Sequence, residues 1–177
     1  MQNIFLTMTI SEFFALVQKT YNENDNGKNG DLAEMLVRSA FARKVVPFKT
    51  VKGQGKTDIS TKKLSVNGKP ARVEIKTGCG EIGAAERSAD FVVYCPHIEE
   101  NTTVHDFRVM TGAEFSAMVD GYKGLLTYDK SRDKFKLKFA WVCSDGSVVR
   151  ECLGLKKTAY LKEQLKKYPR LDSVLNG

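Results

Sequence analysis

The stretch GKTDISTKKLSVNGKPARVEIKTGCG, residues 55–80, is the segment around which the rest of this chain is expected to be built. Two runs in which apolar and polar residues alternate flank an Asn-Gly turn signal at residues 67–68. Because successive side chains of a strand point to opposite faces, Arg72, Glu74 and Lys76 share one face of the second strand. The pattern predicts a β-hairpin that has one charged face.

An aspartate on the first strand completes a candidate site for a hard cation. Magnesium takes oxygen ligands, usually one or two protein carboxylates together with waters and phosphate oxygens. Asp58 and Glu74 could supply the carboxylates, and the carbonyl of Ile75 could supply a third oxygen. Lys76 could hold or help deprotonate the attacking water, or it could pair with a phosphate. These residue types indicate phosphoryl chemistry assisted by a metal ion.

The geometry of the hairpin turn decides whether these side chains share a face. With a two-residue turn, Thr61 would oppose Glu74, and Asp58 would point to the opposite face. A three-residue connection over residues 67–69 would put Asp58 on the same face as Glu74. Pro70 cannot donate to the ladder, which favours the longer connection or a bulge at that point. If Asp58 and Glu74 form a metal site, the hairpin is therefore expected to contain a bulge.

Two helices are expected before the hairpin. The first begins after Ser11, its predicted N-cap, and ends near residue 23. A polar loop follows over residues 22–30, and the second helix runs from its predicted N-cap Asp31 to about residue 44. The apolar side of the first helix is predicted to contain Phe14, Leu16, Val17 and Tyr21. The buried stripe of the second is predicted to contain Leu32, Met35, Leu36, Ser39 and Ala40.

Further elements lie on either side of the hairpin. Residues 45–51 are apolar enough to form a strand, and residues 80–89 are expected to form a short helix. Residues 90–95 are an almost continuous apolar run ended by a proline. Such a run is typical of a strand that is buried on both faces and pairs parallel in a sheet covered by helices. The resulting order is helix, strand, hairpin, helix, strand.

With Thr57 and Asp58 on one strand and Glu74-Ile75-Lys76 on the next, residues 30–98 resemble the PD-(D/E)xK nuclease superfamily. Thr57 stands where that motif usually has proline. The resemblance implies an α/β (α+β) fold with a restriction-endonuclease-like αβββαβ core, in which helices flank a mixed central sheet. A β-hairpin and a helix are added C-terminally, within a single domain spanning residues 1–177.

The same resemblance implies a magnesium-dependent endodeoxyribonuclease, with manganese as a substitute ion and DNA favoured over RNA. Asp58 and Glu74 would bind one or two ions, and Lys76 would orient or activate the attacking water. In many members a first-helix glutamate that follows a glycine reaches over the metal, often through water, and Gly30 and Glu34 resemble that arrangement. Holliday-junction resolvases and compact restriction enzymes are the comparable members, and both usually act as homodimers.

Structural interpretations of the same residues stay open. Glu74 could pair across the hairpin with Lys62 or Lys63 on a solvated face. Glu34 could be an ordinary first-turn acid, favourable near a helix N-terminus and four residues before Arg38. A non-catalytic protein that binds nucleic acid or another protein with an inactive version of this fold is the alternative function. A nucleotide phosphohydrolase is less favoured, because no phosphate-binding loop is present.

Composition limits the function classes. The chain has 177 residues, of which 42% are hydrophobic and 28% charged, as in an ordinary globular domain. A net charge of +7 and a pI of about 9.2 favour a polyanionic partner, nucleic acid before an anionic membrane surface. The four cysteines have no metal-ligand spacing. With no signal peptide and no apolar run long enough for a membrane span, a cytoplasmic protein is expected.

The region from about residue 100 to 177 is expected to elaborate the core. A strand is predicted over residues 107–110, a helix over 112–122 and a second hairpin system over 125–151. A closing helix over about residues 158–168 should be anchored by Leu161 and Leu165. The lysines of this region could contact a phosphate backbone or could lie on a solvated face, and both readings stay open. The closing-helix group contains Lys156, Lys157, Lys162, Lys166 and Lys167.

Overall fold

In a computed structural model of the protein, the described residues are 3–18, 28–42, 58–77, 81–82, 86, 88–120, 126–129, 134–137 and 160–177. They form a mixed α/β structure. Its helices are α1 (Ile10–Val17), α2 (Lys28–Ala42), α3 (Gly112–Asp120), α4 (residues 160–165) and α5 (Leu171–Asn176). Its strands are β1 (Ile59–Val66), β2 (Lys69–Thr77), β3 (Glu81–Ile82), β4 (Phe91–Cys95), β5 (Arg108–Thr111), β6 (Leu126–Asp129) and β7 (Lys134–Leu137).

The main sheet has four strands in the order β1-β2-β4-β5. β2 pairs parallel with β4, whereas the β1–β2 and β4–β5 pairs are antiparallel. Val92 and Val93, which point to opposite faces of β4, are both fully buried. The prediction of a strand buried on both faces in parallel pairing is therefore confirmed. A second sheet has the order β3-β7-β6.

Helices cover the main sheet on both faces. Ala71, Val73 and Ile75 of β2 pack in one core cluster with apolar residues of α1, α2 and α5. Tyr94 and Met110 belong to a separate cluster that also contains residues of α3 and α4. The alternation along each strand thus produces two cores, one on each side of the sheet. A mixed sheet flanked by helices, as predicted, is confirmed.

The first helix differs from its prediction at its N-terminus. Thr9, not Ser11, is the N-cap of α1, because its side chain accepts from the backbone N–H of Glu12 while the Glu12 carboxylate accepts from Thr9. The buried face of α1 agrees with its prediction in part, because Val17 is buried as expected. Phe13 is fully buried, and Leu16, which was expected on the apolar side, is 51% exposed.

The second helix also begins earlier than predicted. α2 starts at Lys28, so residues 28–30 belong to the helix and not to the polar loop, and Asp31 lies inside the first turn and is not the N-cap. The buried stripe is confirmed at all five positions, Leu32, Met35, Leu36, Ser39 and Ala40. A Cβ atom added to Gly30 would lie 3.1 Å from Oγ1 of Thr77, so a glycine lets α2 approach the end of β2 closely.

Other predicted elements are confirmed in part. The helix expected over residues 80–89 is wrong at its start, because residues 81–82 form β3 and pair with β7, whereas residues 86 and 88 are helical. The strand predicted at 45–51 and the second hairpin beyond residue 137 lie outside the described residues. Leu161 and Leu165 are buried, which confirms both anchors of the closing helix. Within the described ranges, no helix is long and apolar enough to cross a membrane.

Candidate active site

The hairpin turn has two residues. Val66 pairs with Lys69, which leaves only residues 67–68 in the connection. Asn67 and Gly68 both have positive φ, 52° and 74°, as a two-residue turn of the type favoured in hairpins requires. The three-residue connection over residues 67–69 is therefore wrong.

A bulge lies further along the same hairpin. Ser65 pairs with Pro70, but the next aligned pair is Thr61 with Ala71, so residues 62–64 of β1 have no counterpart on β2. The interruption falls beside the proline, which has no N–H to donate to the ladder. The predicted bulged hairpin is confirmed, at a position that differs from the predicted turn.

The number of extra residues determines which side chains meet. Because three is odd, the bulge reverses the face on which every residue before it points. Ile59 pairs with Val73, and the same register continued by one residue places Asp58 opposite Glu74. Glu74 and Lys76 share one face of the sheet, and this register sets Asp58, just beyond the last paired residue, beside Glu74. Glu74 therefore faces neither Lys62 nor Lys63 across the hairpin.

Asp58 is held by two donors. The backbone N–H of Ile75 donates to its Oδ2 at 2.7 Å, and Nη2 of Arg38 donates to its Oδ1 at 3.2 Å. The N–H and C=O of one strand residue point to the same edge. The carbonyl of Ile75 therefore also faces the edge on which Asp58 lies. Two carboxylates and this carbonyl are gathered at the carboxyl end of β2.

Glu34 joins the site through an arginine. Nη2 of Arg38 lies 2.5 Å from Oε1 of Glu34 and 3.2 Å from Oδ1 of Asp58, so one guanidinium bridges a helix and a strand. The ordinary i,i+4 pair of Glu34 and Arg38 is thus present, but it does not stand alone on the helix surface. Burial, followed by the nearby charge of Asp58, raises the pKa of Glu34 to about 7, and Arg38 opposes this increase.

Glu74 has the more strongly perturbed carboxyl group. Burial raises its pKa to about 8, the charges of Asp58 and Glu86 add to the increase, and Lys76 opposes it. Its Oε2 atom is buried and has no hydrogen-bond partner within the described structure. A buried carboxyl oxygen without a donor is costly, and a site of this kind favours a bound proton or a cation.

Lys76 has a partner that the sequence did not indicate. Its Nζ atom lies 2.7 Å from Oε1 of Glu86, and the two side chains are 20% and 7% exposed. Glu86 lies within residues 80–89, the segment predicted to be a short helix, and no role was predicted for it. The available signal was an acidic residue on the segment that connects two parallel strands, because such a segment crosses back over one face of the sheet.

Acids outnumber bases among the described side chains of this site. The carboxyl groups of Glu34, Asp58, Glu74 and Glu86 lie near two bases, Arg38 and Lys76. In the part of the chain that the structure describes, no three His, Cys, Asp or Glu side chains converge as metal ligands do. The guanidinium of Arg38 lies between two of the acids instead.

Comparisons of this chain with protein-family models, with curated proteins and with solved structures found no match. Function is therefore inferred from the residues around Asp58 and Glu74 themselves. These residues form a partly buried, acid-rich cluster in which one lysine pairs with Glu86 and one arginine is shared between two carboxylates.

Proposed function

We propose that this chain is a magnesium-dependent endodeoxyribonuclease with a PD-(D/E)xK-type site on a restriction-endonuclease-like core. The observation that carries the proposal is the three-residue bulge in β1. Without it, Asp58 would point away from Glu74 and Lys76. An odd insertion that unites two acids and an amine on one face of the sheet is difficult to explain by packing alone.

The oxygen atoms of these residues are of the kind that the ion prefers, and they would have to converge, with Arg38 withdrawn, for the ion to bind. Asp58, Glu74 and the carbonyl of Ile75 would hold it, and Glu34 would assist from α2, in the oxygen environment that Mg²⁺ or Mn²⁺ prefers. Bound there, such an ion lowers the pKa of a water and neutralises charge on a phosphoryl group. The unpaired Oε2 of Glu74 is the donor atom that most needs a cationic partner.

The bases have distinct roles in this proposal. Lys76, fixed by Glu86, points its ammonium group into the site, where it orients the attacking water and donates to a phosphate oxygen. Glu86 acts through Lys76 and is a positioning residue. Arg38 neutralises Glu34 and Asp58 in the absence of an ion and must release at least one of them when an ion binds.

A non-catalytic nucleic-acid-binding protein is the second candidate. The bridge that Arg38 forms between Glu34 and Asp58 favours it, because a site already neutralised by a guanidinium has less need of a metal ion. The net charge of +7 suits a polyanionic partner in either case. The two candidates differ in whether bound DNA is cut.

Cleavage and binding of DNA, measured with Mg²⁺ and with EDTA, test the proposal. We expect Asp58→Asn and Lys76→Met to lose at least about a hundredfold in cleavage rate and to retain DNA binding. The matched control is Lys69→Gln at the exposed hairpin tip. Metal-independent binding without any cutting by the unaltered chain would refute the nuclease and support the second candidate.

A further inference from the structure

A cavity of about 370 Å³ lies beyond the carboxyl end of β4. Its walls come from the segment after β4, from β5 and from α4, and they include the basic residues Arg108, Lys162 and Lys166. Lys162 and Lys166 are four residues apart and therefore lie on the same side of their segment, as i,i+4 neighbours of a helix do. Three cations from two separate elements thus surround one concave space.

Two acids also line the cavity, but both already accept hydrogen bonds. Oε1 of Glu99 lies 2.9 Å from Nε2 of His97, and Oδ2 of Asp106 accepts from the backbone N–H of Thr103 at 2.8 Å. Among the cations, Lys166 pairs with the solvent-exposed Glu163, a contact that contributes little. Within the described residues, neither Arg108 nor Lys162 has an ion-pair partner. The Arg, Lys, Asp and Glu side chains of the lining therefore carry three positive and two negative charges, a net charge of +1, and Arg108 and Lys162 can donate to an anionic ligand.

The sheet register places this cavity beside the proposed active site. Lys76 of β2 is paired with Tyr94 of β4, and Tyr94 is paired with Arg108 of β5. Paired residues on neighbouring strands point to the same face, so Lys76 and Arg108 lie in one row. Two strand spacings of ~4.8 Å separate their backbones by about 10 Å. Both groups stand at the carboxyl ends of the parallel strands, the usual place for a ligand in such sheets.

We infer that the cavity bounded by Arg108, Lys162 and Lys166 binds a backbone phosphate of a nucleic acid strand whose scissile phosphate lies at Lys76. The link to Lys76 rests on the proposed nuclease function, whereas the phosphate site itself does not. A nucleic acid strand rises about 3.4 Å along the helix axis for each phosphate and also winds around that axis, so neighbouring phosphates are farther apart than this rise. A span of about 10 Å therefore corresponds to a phosphate one or two nucleotides from the cut.

The experiment measures binding of the full chain to a short fluorescein-labelled DNA duplex in EDTA, over a series of salt concentrations. The double variant Arg108→Gln/Lys162→Gln should bind about tenfold more weakly, as expected for loss of a charged contact. Because Arg108 and Lys162 serve one phosphate and Lys166 remains beside it, the slope of log K against log salt should become shallower by at most about 0.9. Lys69→Gln, which removes an exposed charge at the other end of β2 from Lys76, should leave affinity and slope unchanged.

Separate outcomes decide the inference and the nuclease function. Equal affinity and slope for the double variant and Lys69→Gln would overturn the inference, even if the chain cuts DNA. A weakened, shallower double variant of a chain that never cuts would support the phosphate site and refute the nuclease. Inorganic phosphate is the second probe. If the cavity binds it tightly while DNA affinity is unaffected, the site serves free phosphate and the inference is wrong. Circular dichroism confirms that each variant is folded.

Discussion

Replacing Glu74 by glutamine should stabilise the protein and abolish its proposed activity at the same time. The carboxyl pKa is raised from 4.5 to about 8, mainly by burial. At ~1.4 kcal/mol for each tenfold change, this corresponds to roughly 5 kcal/mol at pH 8. Because the side chain is only partly buried, solvent screening reduces the figure to about 1–2 kcal/mol. The amide has the same shape and cannot ionise.

The size of this stabilisation depends on pH. Below about pH 4.5 the carboxyl group is protonated in both the folded and the unfolded chain, so Glu74→Gln should change the free energy of unfolding little. Between pH 4.5 and about 8 the unfolded chain loses this proton more readily than the folded chain. The unaltered protein therefore loses stability as pH rises, and the variant is spared that loss.

The assay is urea unfolding followed by circular dichroism, in EDTA, at pH values on either side of this window. Near pH 8, we expect the free energy of unfolding of Glu74→Gln to exceed that of the unaltered protein by about 1–2 kcal/mol. For a chain of this size, this corresponds to an increase of about 3–6 °C in melting temperature. Glu163→Gln, on an exposed acid, should show no such pH dependence. A Glu74→Gln variant that is less stable than the unaltered protein near pH 8 would show that the buried Glu74 carboxyl group does not destabilise the folded chain at that pH.

Three further predictions concern the charges around this group. Affinity for Mg²⁺ should rise between about pH 6 and 9, and binding should release protons. The reason is that Glu34 and Glu74, with pKa values of about 7 and about 8, must ionise to bind the ion. Calorimetry in buffers of different ionisation enthalpy measures the number of protons released. Glu86→Gln removes a charge that raises the pKa of Glu74, so the midpoint of that pH dependence should move lower; an unchanged midpoint would argue against their coupling. Arg38→Met should cost about 1–3 kcal/mol near pH 8 by leaving Glu34 and Asp58 without their shared donor, and Mg²⁺ should restore part of it, as thermal unfolding with and without the ion would show.

Elements with strong local periodicity could be predicted from the sequence. Two examples are the apolar stripe of α2, which includes Leu32 and Leu36, and the apolar run that forms β4. In both, the sequence pattern agrees with the burial found in the folded structure. The capping box of α1 was also readable, because Thr9 is followed three residues later by Glu12. Ser11, two positions after Thr9, has a side chain that can cap a helix in the same way, and it was the predicted N-cap.

The geometry of the site could be predicted only in part. The sequence indicated that Pro70 would disturb the ladder, but the two-residue turn and a three-residue bulge were not separable from a longer turn by local pattern. The partner of Lys76 depends on how a connecting segment crosses the sheet, so Glu86 could not be assigned. The bridge from Arg38 to Asp58 likewise depends on how α2 packs against β2.

Anomalous diffraction from a crystal soaked in manganese would show whether a metal ion binds among these acids. We expect a peak bounded by Asp58, Glu74 and the carbonyl of Ile75, with the guanidinium of Arg38 withdrawn from at least one of its two acids. A fully soaked crystal that shows manganese elsewhere, while Arg38 still bridges Glu34 and Asp58, would contradict this expectation.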